Sequence, residues 1–162
     1  MTTTDQLVEH ARKHSEKLAT DLPAPPVRGV AVVACMDARL DVYGTLGLTP
    51  GDAHVIRNAG GVVTADVLRS LTISQRLLGT REIVLLHHTD CGMQTFTDDE
   101  LRSRLEAETG IRPSWSPESF PDVVEDVRQS RARILADPLI LHKDAVRGFV
   151  FSVSDGSLTE VD

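Results

Sequence analysis

The sequence is poor in cysteine and aromatic residues, has no excess of positive charge and contains no long hydrophobic run. Its 162 residues include two cysteines, which cannot form a disulfide framework and which a reducing compartment would keep as thiols. Lysine and arginine number 17 against 24 aspartates and glutamates, so the formal net charge is −7 and the phosphate backbone of a nucleic acid would be repelled. We therefore expect no nucleic-acid partner.

Neither a membrane span nor a secretion signal is predicted. The longest apolar runs, VAVVAC at 30–35 and IVLL at 83–86, are far shorter than the roughly 20 residues that cross a bilayer. The N-terminus lacks the basic start and apolar middle of a signal peptide, so we expect a cytoplasmic protein with no membrane partner. The length suffices for one buried core, and we predict a single domain over residues 1–162.

The N-terminal segment, residues 1–20, is predicted to be a helical arm. Within 5–19, apolar residues recur at roughly helical spacing among charged ones, and Thr4 or Asp5 could begin the helix. Three prolines and a glycine in 21–29 prevent the helix from continuing.

Three apolar, β-branched runs predict buried strands at 30–36, 53–59 and 81–89. A helix is predicted at 64–78, between the second and third strands, and Gly79 is suited to end it. Buried strands joined through a helix favour parallel pairing. We therefore predict an α/β fold, a single domain with a central, mainly parallel sheet of four to five strands flanked by helices.

The remaining segments predict further helices and a closing strand. A short helix is expected within 39–48, and longer ones at about 97–109 and 121–136, the last with Pro121 in its first turn. The tail, 147–161, alternates Val and Phe with small residues and contains SDGS, which predicts a closing hairpin or a further short edge strand.

Thiol and imidazole groups lie where two of these strands leave the sheet. Cys35 ends the first strand, and His88 and Cys91, in H-x-x-C spacing, end the third. Because ligands collect at the carboxyl ends of parallel strands, the three side chains can reach one site. Two thiolates and one imidazole suit Zn²⁺ and leave a fourth coordination position open, as in catalytic sites. The alternative is that the cysteines are small core residues, as free cysteines often are.

His87 competes with His88 for the role of ligand. Alternation along a strand sends neighbouring side chains to opposite faces, so one of the two histidines must point away from the site. The residues alone do not decide between them, although a hydrogen-bonded histidine beneath a helix is the favoured interpretation of His87.

Asp37 and Arg39 have the same parity as Cys35 and would lean to the same side if the extended conformation persists. A carboxylate beside the metal could orient a water molecule there, and the arginine would fix that carboxylate and keep it ionised. The alternative is an ordinary ion pair in a surface loop.

The motifs at these positions resemble those of the β-class carbonic anhydrases. CMDAR at 35–39 matches the family's C-x-D-x-R signature, HTDCG at 88–92 matches H-x-x-C-G, and RNAGG at 57–61 resembles the R-N-A block between them. The similarity runs from about residue 28 to 95, and the tail GFVFSVSDGSL resembles the closing strand of the smaller prokaryotic members.

This resemblance implies a zinc lyase that reversibly hydrates CO₂ to bicarbonate, with one Zn²⁺ per subunit. Cys35, His88 and Cys91 would be the ligands, with His88 chosen over His87, and Asp37 and Arg39 would be the catalytic dyad. The resemblance also implies a homodimer or a higher homo-oligomer. The N-terminal arm over 1–20 is the natural segment for that contact.

The sequence departs from plant-type members near the pocket. His54 stands where those members have an aromatic residue, and we hypothesise that it transfers protons, with a packing or surface histidine as the alternative. Val32 occupies the position of the tryptophan in a bicarbonate-inhibition pocket, so Arg57 is expected to brace the site or a dimer rather than to regulate it. Gly60 and Gly61 are expected to allow a tight connection beside the pocket.

Two other functions remain open. A relative with the same signatures could hydrolyse carbonyl sulfide or carbon disulfide, because these are linear electrophiles of the same kind. A non-catalytic zinc-binding sensor or assembly module is the third possibility, but such a site would need neither Asp37 nor Arg39.

Overall fold

Five strands form one sheet in the computed structural model, which describes residues 1–15 and 21–162. In spatial order β2-β1-β3-β4-β5, they are β1 (Val30–Cys35), β2 (Ala53–Asn58), β3 (Glu82–His88), β4 (Val146–Phe151) and β5 (Leu158–Val161). The pairings of β1 with β2, β1 with β3 and β3 with β4 are parallel, and β5 returns antiparallel to β4. The predicted α/β class and mainly parallel sheet are confirmed.

The helices of the described chain are α1 (Thr3–His14), α2 (Val42–Leu46), α3 (Ala65–Leu78), α4 (Asp98–Thr109) and α5 (Val123–Ala136). Of these, α3 and α5 pack against the sheet. Single 3₁₀ turns, Ala59–Gly61 and Gly92–Gln94, follow β2 and Cys91. In the part of the chain that the structure describes, no helix is long and apolar enough to cross a membrane.

Two helices begin at other residues than the sequence predicted. The hydroxyl of Thr2 accepts from the Asp5 amide and the Asp5 carboxylate accepts from the Thr2 amide, so this capping box starts α1 before Thr4. α1 ends at His14, and residues 16–19 of the predicted helix lie outside the described residues. The placement of Pro121 inside the last helix is wrong, because Asp122 caps α5 by accepting from two of its first amides.

The core lies in two layers, one on each face of the sheet. Alternate side chains of β1 enter different layers: Ala31 and Val33 pack toward Leu71 of α3, whereas Val32 and Ala34 pack toward Phe120. Burial on both faces explains why the first and third strands read as continuous apolar runs rather than as an alternating pattern.

The register of the three central strands brings their carboxyl ends together. Ala34 of β1 pairs with Leu86 of β3, and Cys35 pairs with Asn58 of β2. The segments that follow Cys35, Asn58 and His88 therefore leave the sheet at the same edge, as expected for ligand sites in parallel sheets.

Candidate metal centre

Cys35, His88 and Cys91 meet at this edge of the sheet. One potential ligand atom from each lies within 4.8 Å of the other two, and the two sulfurs are 4.0 Å apart. Both cysteines are free thiols, and all three side chains are buried. Two sulfurs and one imidazole nitrogen in such a cluster are a donor set suited to Zn²⁺.

The ring of His88 is oriented for metal binding. Its Nδ1 lies 2.8 Å from the carbonyl oxygen of Thr89, and because a carbonyl only accepts, Nδ1 must carry the proton. Nε2 is buried and has no hydrogen-bond partner within the described residues. A buried imidazole nitrogen with a free lone pair, held by a carbonyl on its other nitrogen, is the usual arrangement of a histidine ligand. The side chains of Cys35, His88 and Cys91 are therefore suited to bind Zn²⁺.

His87 points to the other side of β3. Its Nε2 lies 2.7 Å from Oδ2 of Asp126 on α5, and its ring is fully buried. Strand alternation thus separates the two histidines, so that His88 joins the thiols and His87 contacts the covering helix.

The two thiols affect each other's ionisation. A hydrogen bond from the Cys91 thiol lowers the pKa of Cys35, with a further contribution from His88. The same neighbour and burial raise the pKa of Cys91. Two adjacent buried anions repel each other, so a cation between the two sulfurs would favour ionisation of both thiols.

Asp37 and Arg39 lie together beside the cluster, through a turn rather than through an extended strand. Asp37 Oδ1 accepts from the Arg39 amide at 2.8 Å, and the guanidinium bonds both carboxylate oxygens at 3.0 and 2.8 Å. These side-chain and backbone hydrogen bonds hold the pKa of Asp37 well below its usual range. Asp37 Oδ2 is 3.6 Å from Nε2 of His88, so an ionised carboxylate faces the potential metal position.

Arg57 braces the loop that carries Asp37. Its Nε donates to the carbonyl of Cys35 at 2.9 Å and a terminal nitrogen donates to the carbonyl of Asp37 at 2.7 Å. Gly60 and Gly61 allow the neighbouring turn to approach, since both have positive φ, +82° and +72°. A Cβ on Gly61 would lie 2.8 Å from the amide nitrogen of Cys35, so only glycine fits there without a shift.

A cavity of about 330 Å³ opens beside the cluster. It is lined by Cys35, Met36, Asp37, Ala59, Gly60, Cys91, Gly92, Met93 and Phe96. The carboxylate of Asp37 is the one charged group among these residues, and Met36, Met93 and Phe96 supply apolar walls. Sequence reasoning missed these three, because nothing in their spacing shows that they converge on one cavity.

His54 is not brought to this cluster. It pairs with Ala31 in the register of β1 and β2, four residues before the Cys35 pairing, which is about 13 Å along the strands. Its Nδ1 lies 2.7 Å from the hydroxyl of Ser74 on α3. The role of His54 in proton transfer stays a prediction from the sequence.

Asp90, between the potential ligands His88 and Cys91, is a further residue that sequence reasoning missed. Its carboxylate and its carbonyl oxygen both accept from the guanidinium of Arg39, at 2.7 and 2.9 Å. Its φ of +54° is uncommon outside glycine. Only the position of Asp90 inside HTDCG pointed to it.

Comparisons with known proteins agree with this geometry. A family model for carbonic anhydrase matches residues 30–133. A beta-carbonic anhydrase 1 of Mycobacterium tuberculosis is 60% identical over 161 residues, which cover 99% of each chain. The chain belongs to the β-carbonic anhydrase family. This membership agrees with the resemblance drawn from CMDAR and HTDCG, and the matched region contains all three residues of the cluster.

Two further relatives are a carbonic anhydrase of known structure and an enzyme with a different activity. The crystal structure of a carbonic anhydrase from Streptococcus mutans superposes with a TM-score of 0.93 at 41% identity, covering 100% of this chain and 99% of that one. A carbon disulfide hydrolase of an Acidianus species is 43% identical over 90 residues, 56% of this chain and 44% of the relative.

Proposed function

We propose that the protein is a zinc-dependent carbonic anhydrase, which converts carbon dioxide and water reversibly to bicarbonate and a proton. The observation that carries the proposal is the buried set of Cys35, His88 and Cys91 with Asp37 beside it. A structural zinc site would be closed by a fourth protein ligand. Here the fourth direction is faced by a carboxylate that Arg39 already holds.

Cys35, His88 and Cys91 would hold one Zn²⁺ per subunit. A zinc ion held by these residues would supply Lewis-acid chemistry, which lowers the pKa of water. The chain itself provides Asp37, whose Oδ2 faces the cluster and can accept a hydrogen bond from the attacking water. Such an acceptor orients the water, so that its lone pair rather than its proton faces the substrate.

Asp37 is suited to accept a hydrogen bond and not to keep the proton. Its pKa is lowered by the side-chain and backbone donors of Arg39, so its conjugate acid would release a proton readily. The proton produced by the reaction must therefore pass on to solvent or buffer. Arg57 keeps the loop in place by tying the carbonyls of Cys35 and Asp37.

The apolar side of the cavity suits a small, uncharged substrate. The apolar walls are formed by Met36, Met93 and Phe96. These side chains have no strong hydrogen-bonding groups that a bound carbon dioxide molecule would leave without a partner, and they limit the amount of water around it. Bicarbonate, which is charged, gains less from these walls, and this favours its release.

Hydrolysis of carbon disulfide or carbonyl sulfide is the alternative activity. It is favoured by the 43% identity to a carbon disulfide hydrolase and by the same apolar walls, which would also accept a sulfur-containing linear molecule. The retained Asp37–Arg39 pair disfavours a non-catalytic zinc module.

A stopped-flow assay tests the proposal. Zinc-loaded wild-type protein and a Cys35→Ser variant are offered carbon dioxide, and carbonyl sulfide in parallel, across pH 7 to 9. The proposal expects hydration of carbon dioxide by the wild type alone. Turnover of carbonyl sulfide without carbon dioxide hydration would favour the alternative, and no difference between the two proteins would contradict both.

We also propose that the protein is a cytoplasmic homodimer or higher homo-oligomer, with the arm over residues 1–20 at the contact. All twelve residues of α1 are exposed, including the apolar Leu7 and Val8, so this helix buries none of its side chains against residues 1–15 and 21–162. Free thiols as metal ligands suit a reducing compartment.

A further inference from the structure

We propose that Asp90 is a positioning residue for the Asp37–Arg39 pair. It accepts hydrogen bonds from the guanidinium of Arg39 on the side opposite Asp37. These bonds keep the carboxylate of Asp37 directed at the potential metal ligands. This inference rests on the proposed function, since its catalytic consequence requires that Asp37 orient the attacking water.

The hydrogen bonds of the Arg39 guanidinium are divided equally between two aspartates. Nε and one terminal nitrogen donate to the two oxygens of Asp37, at 3.0 and 2.8 Å. The other terminal nitrogen donates to Oδ2 of Asp90 at 2.7 Å, and the first donates also to the Asp90 carbonyl at 2.9 Å. Because the guanidinium is planar and rigid, fixing it at Asp90 fixes the direction in which it presents its donors to Asp37.

Asp90 can make both contacts because of its backbone conformation. Its φ of +54° lies in the left-handed region, which Asp and Asn enter more readily than most residues. The chain bends at Thr89 and Asp90, and this turn presents the carboxylate and the carbonyl of Asp90 to one guanidinium. The same turn thus carries two potential ligands and the anchor for Arg39.

Arg39 needs an anchor because it is not enclosed by other groups. Its side chain is 49% exposed and that of Asp90 is 78% exposed, whereas Asp37 is 18% exposed. A long side chain at such a surface samples several rotamers, and an ion pair with one carboxylate holds it weakly. With Asp90 in place, the guanidinium has charge-assisted bonds on both sides.

Asp90 acts through Arg39 and is not part of the cavity. It is absent from the residues that line the cavity and from the potential ligand set. A variant of Asp90 should therefore change the orientation of the Arg39 side chain first and turnover only as a consequence.

The test uses zinc-loaded Asp90→Asn, which tolerates the same backbone conformation and keeps the carbonyl contact. Asp66→Asn, an exposed aspartate paired with Arg69 on α3, is the matched control. We expect kcat to fall about two- to five-fold in Asp90→Asn, with KM and zinc content unchanged and no change in Asp66→Asn. In an Arg39→Gln background, Asp90→Asn should cause no further fall. An equal fall in both backgrounds would overturn the proposal.

A second readout needs no activity. In ¹⁵N-labelled protein, the Nε–H signal of Arg39 is assigned by its loss in Arg39→Gln, and its hydrogen exchange is measured. Asp90→Asn should speed this exchange by at least about threefold and Asp66→Asn should not. An unchanged Arg39 signal would overturn the positioning role. If the wild type shows no carbon dioxide hydration, the proposed function fails and this signal alone decides the role of Asp90.

Discussion

At the scale of single residues, two adjacent histidines differ in what their ring nitrogens contact. His88 directs Nδ1 to the Thr89 carbonyl and leaves Nε2 free beside the thiols, whereas His87 directs Nε2 to Asp126. Both rings are fully buried. One histidine is therefore oriented to bind a metal and the other contacts α5, although the two are identical in type and adjacent in sequence.

Substituting each histidine should separate these roles. His88→Ala removes a ligand and should weaken zinc binding by at least about 100-fold. His87→Ala leaves the buried Asp126 without its partner and should lower the free energy of unfolding by about 2 kcal/mol, with little change in zinc affinity. Competition with a chromophoric chelator and urea denaturation measure the two quantities. If His87→Ala weakened zinc binding and His88→Ala did not, His87 would be the ligand.

Asp37→Asn should lower kcat about 100-fold while zinc remains bound. The amide is close in size to the carboxylate but carries no negative charge, so it holds Arg39 less tightly and is a weaker acceptor for water. Asp155→Asn, at an exposed site in the turn between β4 and β5, is the control. Stopped-flow kinetics with metal analysis would contradict the prediction if Asp37→Asn and Asp155→Asn had equal kcat values.

At the scale of elements, the decisive contact is between the turn after β2 and the end of β1. Gly61 lies so close to Cys35 that an added Cβ would be 2.8 Å from its amide nitrogen and 3.0 Å from the carbonyl carbon of Ala34. Both neighbours are backbone atoms and cannot rotate away. The position of one potential ligand is therefore coupled to a glycine in another element.

Gly61→Ala should destabilise the protein by about 3 kcal/mol and weaken zinc binding, because positive φ and a backbone clash add together. Gly79→Ala is a matched control, since Gly79 has a similar φ of +74° but open space around its Cβ position. It should cost about 1 kcal/mol and leave zinc affinity unchanged. Urea denaturation and zinc competition measure the two effects. Equal effects of the two variants would show that Gly61 does not determine the position of Cys35.

The sequence predicted the elements better than the turns between them. Apolar runs and parallel pairing were enough to place Cys35, Cys91 and one of the two adjacent histidines at one edge of the sheet. The choice of His88 over His87 came from the family resemblance. The contact between Asp37 and Arg39 was expected from an extended backbone, whereas a turn produces it. Asp90 was missed because its contact with Arg39 depends on a left-handed φ and joins residues 51 positions apart. No local pattern encodes such a contact.

At the scale of the whole molecule, α1 stands out because it packs against no other element in the part of the chain that the structure describes. The helix is stabilised by its capping box, yet none of its residues is buried. An amphipathic helix of this kind gains most of its stability from packing. A second copy of the chain is the partner that we propose for it.

Leu7→Glu should weaken self-association by at least about tenfold, because it places a charge on the apolar face of α1. Gln6→Glu adds the same charge to a neighbouring polar position and is the matched control. Size-exclusion chromatography with light scattering, at several protein concentrations, measures the change. Equal dissociation constants for the two variants would show that Leu7 does not lie at the contact.

The most direct test of the central claim is to add zinc to metal-free protein while measuring the initial rate of carbon dioxide hydration. We expect a rate that rises linearly and stops rising at one zinc per chain, with no rise in His88→Ala at the same zinc concentrations. A wild-type rate that stays at the level of the uncatalysed reaction once one zinc per chain is bound would contradict the claim.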